Sequence, residues 1–338
     1  MKYFLLPCVF FVFVLHSTIV QHQTEVVYGW NTSPTELVGV GRRSAIESVW
    51  TAATTSSAIV SAVPSSRAAT AVEETNALLS VVTDPDTYSA LAYAPPQNDA
   101  TTPLILVLHG AGRNQESIIE GLANPLGEHA GLIPSLIAAA GGGIPHAAPD
   151  LLLEKFAVLA PYSYGKTSFY NDPRQKLLTF LQWAIEHRNT NECRLNFDPR
   201  KIIVLGFSDG ATVAVELLTT RKFAAGVICS YGYTGKTLPA PALERLADIP
   251  MWVFHSADDV IFDVSNSDRL VQQLRATRGT TNAAREGNED DDGLVRYSRF
   301  ETDPENLPRR VRGHSMGITA SKSSRVYEWM LAVPPIER

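Results

Sequence analysis

Short apolar runs recur from residue 87 onward and alternate with longer segments whose apolar positions have helical spacing. Continuous apolar runs of this length are typical of strands buried on both faces of a parallel sheet. The strands are predicted at 87–95, 104–109, 156–161, 201–206, 225–230, 251–255 and 294–300. The helices are predicted within 114–140 and at 174–188, 210–223, 265–278 and 321–331. This alternation predicts a doubly wound, mostly parallel α/β sheet with helices on both faces and with reactive groups at the carboxyl ends of its strands.

The N-terminal part of the chain has a different pattern. An uncharged apolar run over 3–15 has the length of a signal-peptide core and is short for a membrane span, which needs about 20 residues. We therefore expect a signal peptide at 1–20 and a secreted protein, with an uncleaved signal anchor as the alternative. Residues 21–85 form a predicted extension rich in Ser, Thr and Ala, either a flexible or O-glycosylated stalk or a packed irregular segment. Asn31 begins a glycosylation sequon, and 86–338 form the predicted catalytic domain.

Composition and charge narrow the possible functions. The 338 residues carry a net charge of −6, which argues against a nucleic-acid partner because such a partner requires a basic face. The sequence contains neither a Cys/His cluster with zinc spacing nor a glycine-rich phosphate loop, so we predict no metal and no cofactor. Outside the predicted signal peptide only Cys193 and Cys229 remain, too few for a disulfide framework. We predict that both are free thiols, because their predicted places at opposite ends of the sheet are too far apart for a disulfide bond.

Two pentapeptides have the pattern G-x-S-x-G of the nucleophile elbow in serine hydrolases, GFSDG at 206–210 and GHSMG at 313–317. An elbow needs a strand before the serine, a helix after it, and small residues two positions away on each side so that the turn can close. Only the first pentapeptide follows a predicted strand and precedes a predicted helix. Ser208 is therefore the predicted nucleophile, and Gly206 and Gly210 are the elbow glycines.

The second pentapeptide contains the candidate general base. Prolines and arginines precede it, and no histidine follows Ser315, although hydrolases of this kind place serine, acid and histidine in that order along the chain. His314 lies after the last predicted strand and before the last predicted helix, where the base is expected. The acid should follow the strand at 251–255, where Asp258 and Asp259 are both available.

Four segments, in this order, resemble the phospholipase/carboxylesterase-type serine esterases of the α/β-hydrolase superfamily. The segments are LVLHGAGRN at 106–114, FDPRKIIVLGFSDGA at 197–211, FHSADDVIF at 254–262 and GHS at 313–315. The resemblance spans roughly 86–332 and implies an α/β-hydrolase fold with a Ser-His-Asp triad. The H-G-x-x-D spacing of that family selects Asp259 as the acid, with Ser256 in place of the usual glycine. The resemblance also implies that the backbone N–H groups of Ala111 and Asp209 form the oxyanion hole.

The predicted function is that of a secreted serine esterase, a carboxylic ester hydrolase that works through an acyl-enzyme. Its substrate is expected to be a small-molecule, lipid or polyester ester, with no nucleic-acid partner and no stable membrane span. The alternatives are a feruloyl or polyhydroxyalkanoate-type polyester esterase, a serine peptidase, and a non-catalytic binding protein with a hydrolase fold. Residues 121–150 and 163–172 are expected to border the site, and 286–293 to be a solvated insertion.

The other histidines of the predicted domain are expected to be structural. His109 and His255 end strands beside the predicted site, so we expect them to be hydrogen-bonded parts of its scaffold. The remaining three, His129, His146 and His187, are expected at the surface.

Overall fold

The structure of the protein is a computed structural model. It describes residues 78–111, 119–127, 129–163, 169, 174–232, 238–279, 290–291, 293–305 and 307–337. The predicted signal peptide, residues 21–77 of the predicted extension with the sequon at Asn31, and parts of 163–172 and 286–293 lie outside the described residues.

Nine strands of the described residues form a single sheet. They are β1 (Ser80–Thr83), β2 (Ser89–Tyr93), β3 (Leu104–Leu108), β4 (Ala157–Pro161), β5 (Ile202–Phe207), β6 (Ala225–Cys229), β7 (Met251–Ser256), β8 (Asp290–Asp291) and β9 (Val295–Phe300). Their order across the sheet is β1-β2-β4-β3-β5-β6-β7-β9-β8. The neighbours from β4 to β9 pair in parallel, whereas β1 and β2 at one end and β8 at the other are antiparallel. The predicted doubly wound, mostly parallel sheet is confirmed.

The helices lie on both faces of this sheet. They are α1 (Ile133–Gly141), α2 (Asp150–Lys155), α3 (Arg174–Glu186), α4 (Asp209–Leu218), α5 (Ala240–Leu246), α6 (Ser265–Thr277), α7 (Met316–Lys322) and α8 (Ser324–Ala332). Apolar residues of α3 to α6 pack on one face, and those of α1, α2, α7 and α8 pack on the other. Five elements, β1, β8, α2, α5 and α7, were not predicted, since each has too few residues for a periodic pattern.

The central strand β3 illustrates how the sheet is stabilised. Leu104, Leu106 and Leu108 belong to the apolar layer on one face, while Ile105 and Val107 belong to the layer on the other. All five side chains are at most 2% exposed. Burying each such side chain contributes about 1.5–3 kcal/mol, so a strand covered on both faces needs the continuous apolar run that the sequence has.

The two cysteines of the described chain are both buried and free, as predicted. Cys193 precedes β5, and Cys229 is the last residue of β6. Among the residues that the structure describes, no helix combines the length and the apolarity needed to cross a membrane.

Candidate active site

Ser208 lies in the turn between β5 and α4, at the carboxyl edge of the sheet. Its backbone has φ 56° and ψ −118°, a conformation that costs a residue other than glycine about 1–3 kcal/mol. The turn closes only because two glycines lack side chains. A Cβ atom at Gly206 would overlap the carbonyl oxygen of Gly210, and one at Gly210 would overlap the carbonyl oxygen of Leu108. The first pentapeptide thus has the strand, sharp turn and helix that an elbow requires.

A chain of hydrogen bonds connects Ser208 to a buried carboxylate. Ser208 Oγ lies 2.8 Å from His314 Nε2, and His314 Nδ1 lies 2.8 Å from Asp259 Oδ2. Because an ionised carboxylate only accepts hydrogen bonds, Nδ1 carries the ring hydrogen and Nε2 is left to accept one from the serine hydroxyl. The three residues follow β5, β7 and β9, so the parallel sheet brings them to one edge.

The Asp259 carboxylate is buried but remains charged. Its Oδ1 atom accepts hydrogen bonds from the backbone N–H groups of Ile261 at 2.8 Å and Phe262 at 2.9 Å. Burial alone would raise the pKa of Asp259, but hydrogen bonds from His255 and His314, with the Phe262 N–H, outweigh burial and lower that pKa well below its usual range. The site therefore holds a fixed negative charge beside the imidazole.

Asp258 has different partners. Its Oδ1 atom accepts hydrogen bonds from the Ser256 hydroxyl at 2.6 Å and from the backbone N–H of Asp303 at 3.0 Å, and its Oδ2 atom lies 3.6 Å from Arg312 Nε. The hydroxyl of Ser256 therefore bonds Asp258 and not Asp259. Of the two carboxylates, Asp259 is the one that contacts the imidazole.

The glycines of the second pentapeptide serve packing rather than an elbow. Gly313 has φ 77°, and a Cβ atom there would overlap the peptide that joins Asp258 to Asp259. A Cβ atom at Gly317 would lie 2.7 Å from the ring of Phe207. The loop that carries the histidine thus packs directly on the loop that carries the acid and on the residue before the predicted nucleophile.

Ser315 is fully buried, and its hydroxyl contacts another carboxylate. Its hydroxyl lies 2.6 Å from both oxygens of Asp303. Burial raises the pKa of Asp303, and the hydrogen bond from Ser315 opposes that rise. Ser315 therefore ties the histidine loop to residues that follow β9.

Comparison with known proteins adds the name of the fold. The chain matches no protein-family model and no curated protein sequence. A thermostable esterase of known crystal structure superposes with a TM-score of 0.50 at 21% identity, over 75% of this chain and 62% of the esterase chain. The protein has the α/β-hydrolase fold. At this identity, and with 62% of the esterase's length matched, the likeness extends to the fold and not to the substrate.

Two further solved structures superpose with lower TM-scores. An α/β hydrolase enzyme from a Medee basin deep-sea metagenome library superposes with a TM-score of 0.46 at 18% identity, over 75% of this chain and 97% of that one. A dienelactone hydrolase-like promiscuous phosphotriesterase from metagenomic libraries superposes with a TM-score of 0.45 at 15% identity, over 75% of this chain and 97% of that one.

The two predicted oxyanion donors belong to the two segments that meet at Ser208. Asp209 is the first residue of α4, so its N–H group is at a helix N-terminus. Ala111 follows Gly110, whose position is so close to Ser208 that a Cβ atom there would lie 3.0 Å from Ser208 Cβ. Gly112 lies outside the described residues. The donor roles of Ala111 and Asp209 remain predictions.

Two aromatic rings that were not predicted flank the imidazole. The ring centroid of Phe207 lies 5.2 Å from that of His314, and the ring of Phe262 makes a T-shaped contact at 5.4 Å. Both rings contact the imidazole of His314, which is 6% exposed. The available signal was their position directly before Ser208 and three residues after Asp259.

His109 and His255 are hydrogen-bonded scaffold residues, as predicted. His109 Nε2 accepts the backbone N–H of Ser163 at 3.2 Å, so its Nδ1 carries the hydrogen and donates to the carbonyl oxygen of Gly110 at 2.7 Å. Burial and the neighbouring His129 lower the pKa of His109 to about 3. The neutral ring thus joins the end of β3 to the end of β4.

His129 is less exposed than the expected surface position implies. Its ring is half-buried, with its centroid 5.2 Å from that of His109, and burial lowers its pKa to about 4. His146 is exposed, as predicted, and His187 is half-buried like His129. Within the described residues, no group of three or more His, Cys, Asp and Glu side chains is arranged to hold a metal ion.

Proposed function

We propose that the protein is a serine esterase that hydrolyses carboxylic esters through an acyl-enzyme. Ser208 is the nucleophile, His314 the general base, and Asp259 the acid that orients and stabilises the imidazole. The proposal rests on one observation, the two hydrogen bonds of 2.8 Å that join these residues in sequence at the carboxyl edge of the sheet. The α/β-hydrolase fold is consistent with this chemistry and leaves the substrate open.

The reaction begins when Ser208 Oγ attacks the ester carbonyl carbon while His314 Nε2 takes its proton. The Asp259 charge stabilises the imidazolium that results, since Nδ1 still donates to Oδ2. The tetrahedral oxyanion is bound by the backbone N–H groups of Ala111 and Asp209, and losing one such donor typically costs about 10²–10³ in kcat. His314 then protonates the leaving alcohol, and water releases the acid by the same steps in reverse order.

The substrate class we propose is a carboxylic ester of a small molecule, lipid or polyester, as the resemblance to phospholipase/carboxylesterase-type enzymes implies. If the predicted signal peptide at 1–20 is used, the enzyme acts outside the cell. A panel of p-nitrophenyl esters of different chain length, a feruloyl ester, a soluble polyester oligomer and a peptide p-nitroanilide separates this proposal from a peptidase. Turnover of the anilide at the rate of the esters would favour the peptidase.

The two pentapeptides offer a matched test of the nucleophile. We expect Ser208→Ala to abolish labelling by a fluorophosphonate probe and to lower kcat by several powers of ten, on the order of 10⁶ where such a nucleophile has been removed. Ser315→Ala should keep the labelling, because its hydroxyl bonds Asp303 rather than His314.

The Ser315 variant is also a control for folding. Loss of a buried hydrogen bond to a charged group costs about 1.5–3 kcal/mol, so its melting temperature should fall while its active site stays competent. A folded Ser315→Ala variant that is not labelled, beside a labelled Ser208→Ala variant, would show that the nucleophile is assigned to the wrong pentapeptide.

A further inference from the structure

A second imidazole contacts the carboxylate of Asp259. His255 is fully buried at the end of β7, and its Nε2 atom lies 3.3 Å from Asp259 Oδ2 and 3.0 Å from the carbonyl oxygen of Phe262. Its Nδ1 atom lies 2.7 Å from the hydroxyl of Ser267, a buried residue of α6. The proposed mechanism does not use His255, although both His255 and His314 contact Oδ2 of Asp259.

The partners of His255 fix where its hydrogen lies. Both groups near Nε2, a carboxylate and a carbonyl oxygen, only accept hydrogen bonds, so Nε2 must carry the hydrogen. In the neutral ring, Nδ1 then accepts a hydrogen bond from the Ser267 hydroxyl. The acceptors around Nε2 thus hold the ring in one tautomer, and Ser267, a residue of a helix that packs on the sheet, adds a hydrogen bond at Nδ1.

Four N–H groups surround the Asp259 carboxylate. Oδ1 accepts hydrogen bonds from the backbone N–H groups of Ile261 and Phe262, and Oδ2 accepts one from the ring N–H group of His314. The Nε2–H group of His255 donates to the carbonyl oxygen of Phe262 at 3.0 Å, and its nitrogen lies 3.3 Å from Oδ2 as a longer second contact. Two imidazoles therefore place a ring nitrogen against the same carboxylate oxygen.

Other charged groups surround His255 but are occupied elsewhere. Asp263, in the segment before α6, accepts a backbone hydrogen bond from Ser265 at 2.8 Å. On β9, which pairs with β7, Arg299 lies 3.3 Å from Asp268 of α6 and 2.6 Å from Glu301. Asp259 is the charged group that contacts the His255 ring directly.

We infer that His255 is a positioning residue, which fixes the Asp259 carboxylate through its Nε2–H group and limits how strongly that carboxylate attracts the proton of His314. The inference rests on the proposed function for its link to catalysis. Without the His255 donor, Oδ2 would bind the His314 imidazolium more tightly. The general base would then be protonated at higher pH, and its alignment with Ser208 would loosen.

The two amide residues are a matched pair of substitutions. The side-chain nitrogen of glutamine can reach the place of the imidazole Nε2 and donate to Asp259, whereas the amide of asparagine reaches only the place of Nδ1, toward Ser267. We expect His255→Asn to move the acidic limb of the kcat/KM profile to higher pH by about 0.5–1 unit. A shift of this size corresponds to only part of the free energy of one hydrogen bond to a charged group. We expect His255→Gln to restore the limb to within about 0.2 unit and to recover most of the kcat.

A purely structural role gives a different result. In that case His255→Asn and His255→Gln lower the melting temperature alike, and neither variant moves the acidic limb. Ser267→Ala is a further control, since it removes the partner of Nδ1 and leaves the donor to Asp259 in place. It should leave the acidic limb within about 0.2 unit of the wild type, and a larger movement would overturn the inference.

Nitrogen-15 NMR of the imidazole rings tests the inference without any substrate. The wild-type spectrum should show His255 with its hydrogen on Nε2, and a hydrogen on Nδ1 would overturn the inference without the need for a variant. The His314 titration should move to higher pH in His255→Asn, and an unmoved curve contradicts the inference even if ester hydrolysis persists. If the curve moves but the wild type hydrolyses no ester, the proposed function fails and the positioning role of His255 stands.

Discussion

Replacing Asp259 with asparagine exchanges one carboxylate oxygen for an NH₂ group, and the surrounding contacts determine which one. Oδ1 accepts two backbone N–H groups, those of Ile261 at 2.8 Å and Phe262 at 2.9 Å. The amide oxygen should stay there, which turns the NH₂ group toward His314 Nδ1. To avoid two facing donors, the imidazole must move its hydrogen to Nε2, where it can no longer accept the proton of Ser208.

The magnitude follows from the cost of the opposite orientation. Turning the amide over would return its oxygen to His314 but would leave the N–H groups of Ile261 and Phe262 without an acceptor. Each unsatisfied buried donor costs about 1–3 kcal/mol, so recovering the productive tautomer costs about 2–6 kcal/mol. The upper part of this range corresponds to a fall in kcat of about 10³–10⁴, which is the loss we expect and is close to that for the same substitution in a serine protease.

Asp258→Asn is the matched control on the neighbouring residue. Its amide oxygen can keep the hydrogen bonds from Ser256 and Asp303, and the NH₂ group replaces an oxygen 3.6 Å from Arg312 Nε. The Arg312 side chain is 56% exposed, so the lost ion pair is worth at most about 1 kcal/mol. We expect a change in kcat of less than about tenfold.

Both variants are compared with the wild type by initial rates on p-nitrophenyl acetate, and circular dichroism checks that each is folded. A loss confined to Asp258→Asn would assign the acid to the wrong residue. Equal losses in both variants would instead indicate that the pair supports folding of the acid loop. Either result would refute the reasoning from the Oδ1 contacts.

Two predictions concern other buried groups. Burial raises the pKa of both thiols, Cys193 and Cys229, so we expect neither to react with a disulfide reagent until the protein unfolds; a Cys193–Cys229 cross-link in non-reducing peptide mapping would contradict this. The pKa of His109 falls from 6.5 to about 3 on folding, so between these values the unfolded chain binds the extra proton and stability declines as the pH falls. The free energy of unfolding should fall by about 1.4 kcal/mol for each unit by which the pH is lowered in this range. The free energy of unfolding, measured in urea between pH 6 and 5, should therefore depend less on pH for His109→Gln than for the wild type. An equal dependence on pH in both proteins would contradict a contribution from His109.

The sequence was sufficient for the parts of the fold that depend on local patterns. The strands from β2 to β7 and β9 were predicted because each is an apolar run or an alternating segment. The strand–turn–helix context likewise distinguished Ser208 from Ser315. β1 begins at Ser80, ahead of the predicted domain start at residue 86, and its pairing with β2 depends on tertiary contacts that no short pattern encodes.

Within the candidate site, the sequence was least informative about side-chain direction. Asp258 and Asp259 are adjacent carboxylates, and the residues alone left both open; the contact with His314 depends on the turn after β7. His129 lies in a segment without clear periodicity, so nothing local indicated its contact with His109. The contact between His255 and Asp259 depends on the direction of the chain after β7, which no short pattern encodes.

The close packing of Gly313 on the peptide between Asp258 and Asp259 bears on how the site can be varied. Because no side chain fits between the two loops, a change of backbone in one must be matched in the other. Libraries that diversify 256–262 and 311–317 independently would therefore contain mostly inactive members, however suitable each loop is alone. The two loops should instead be grafted together from one relative, with Gly313 retained, so that their packing on each other is preserved.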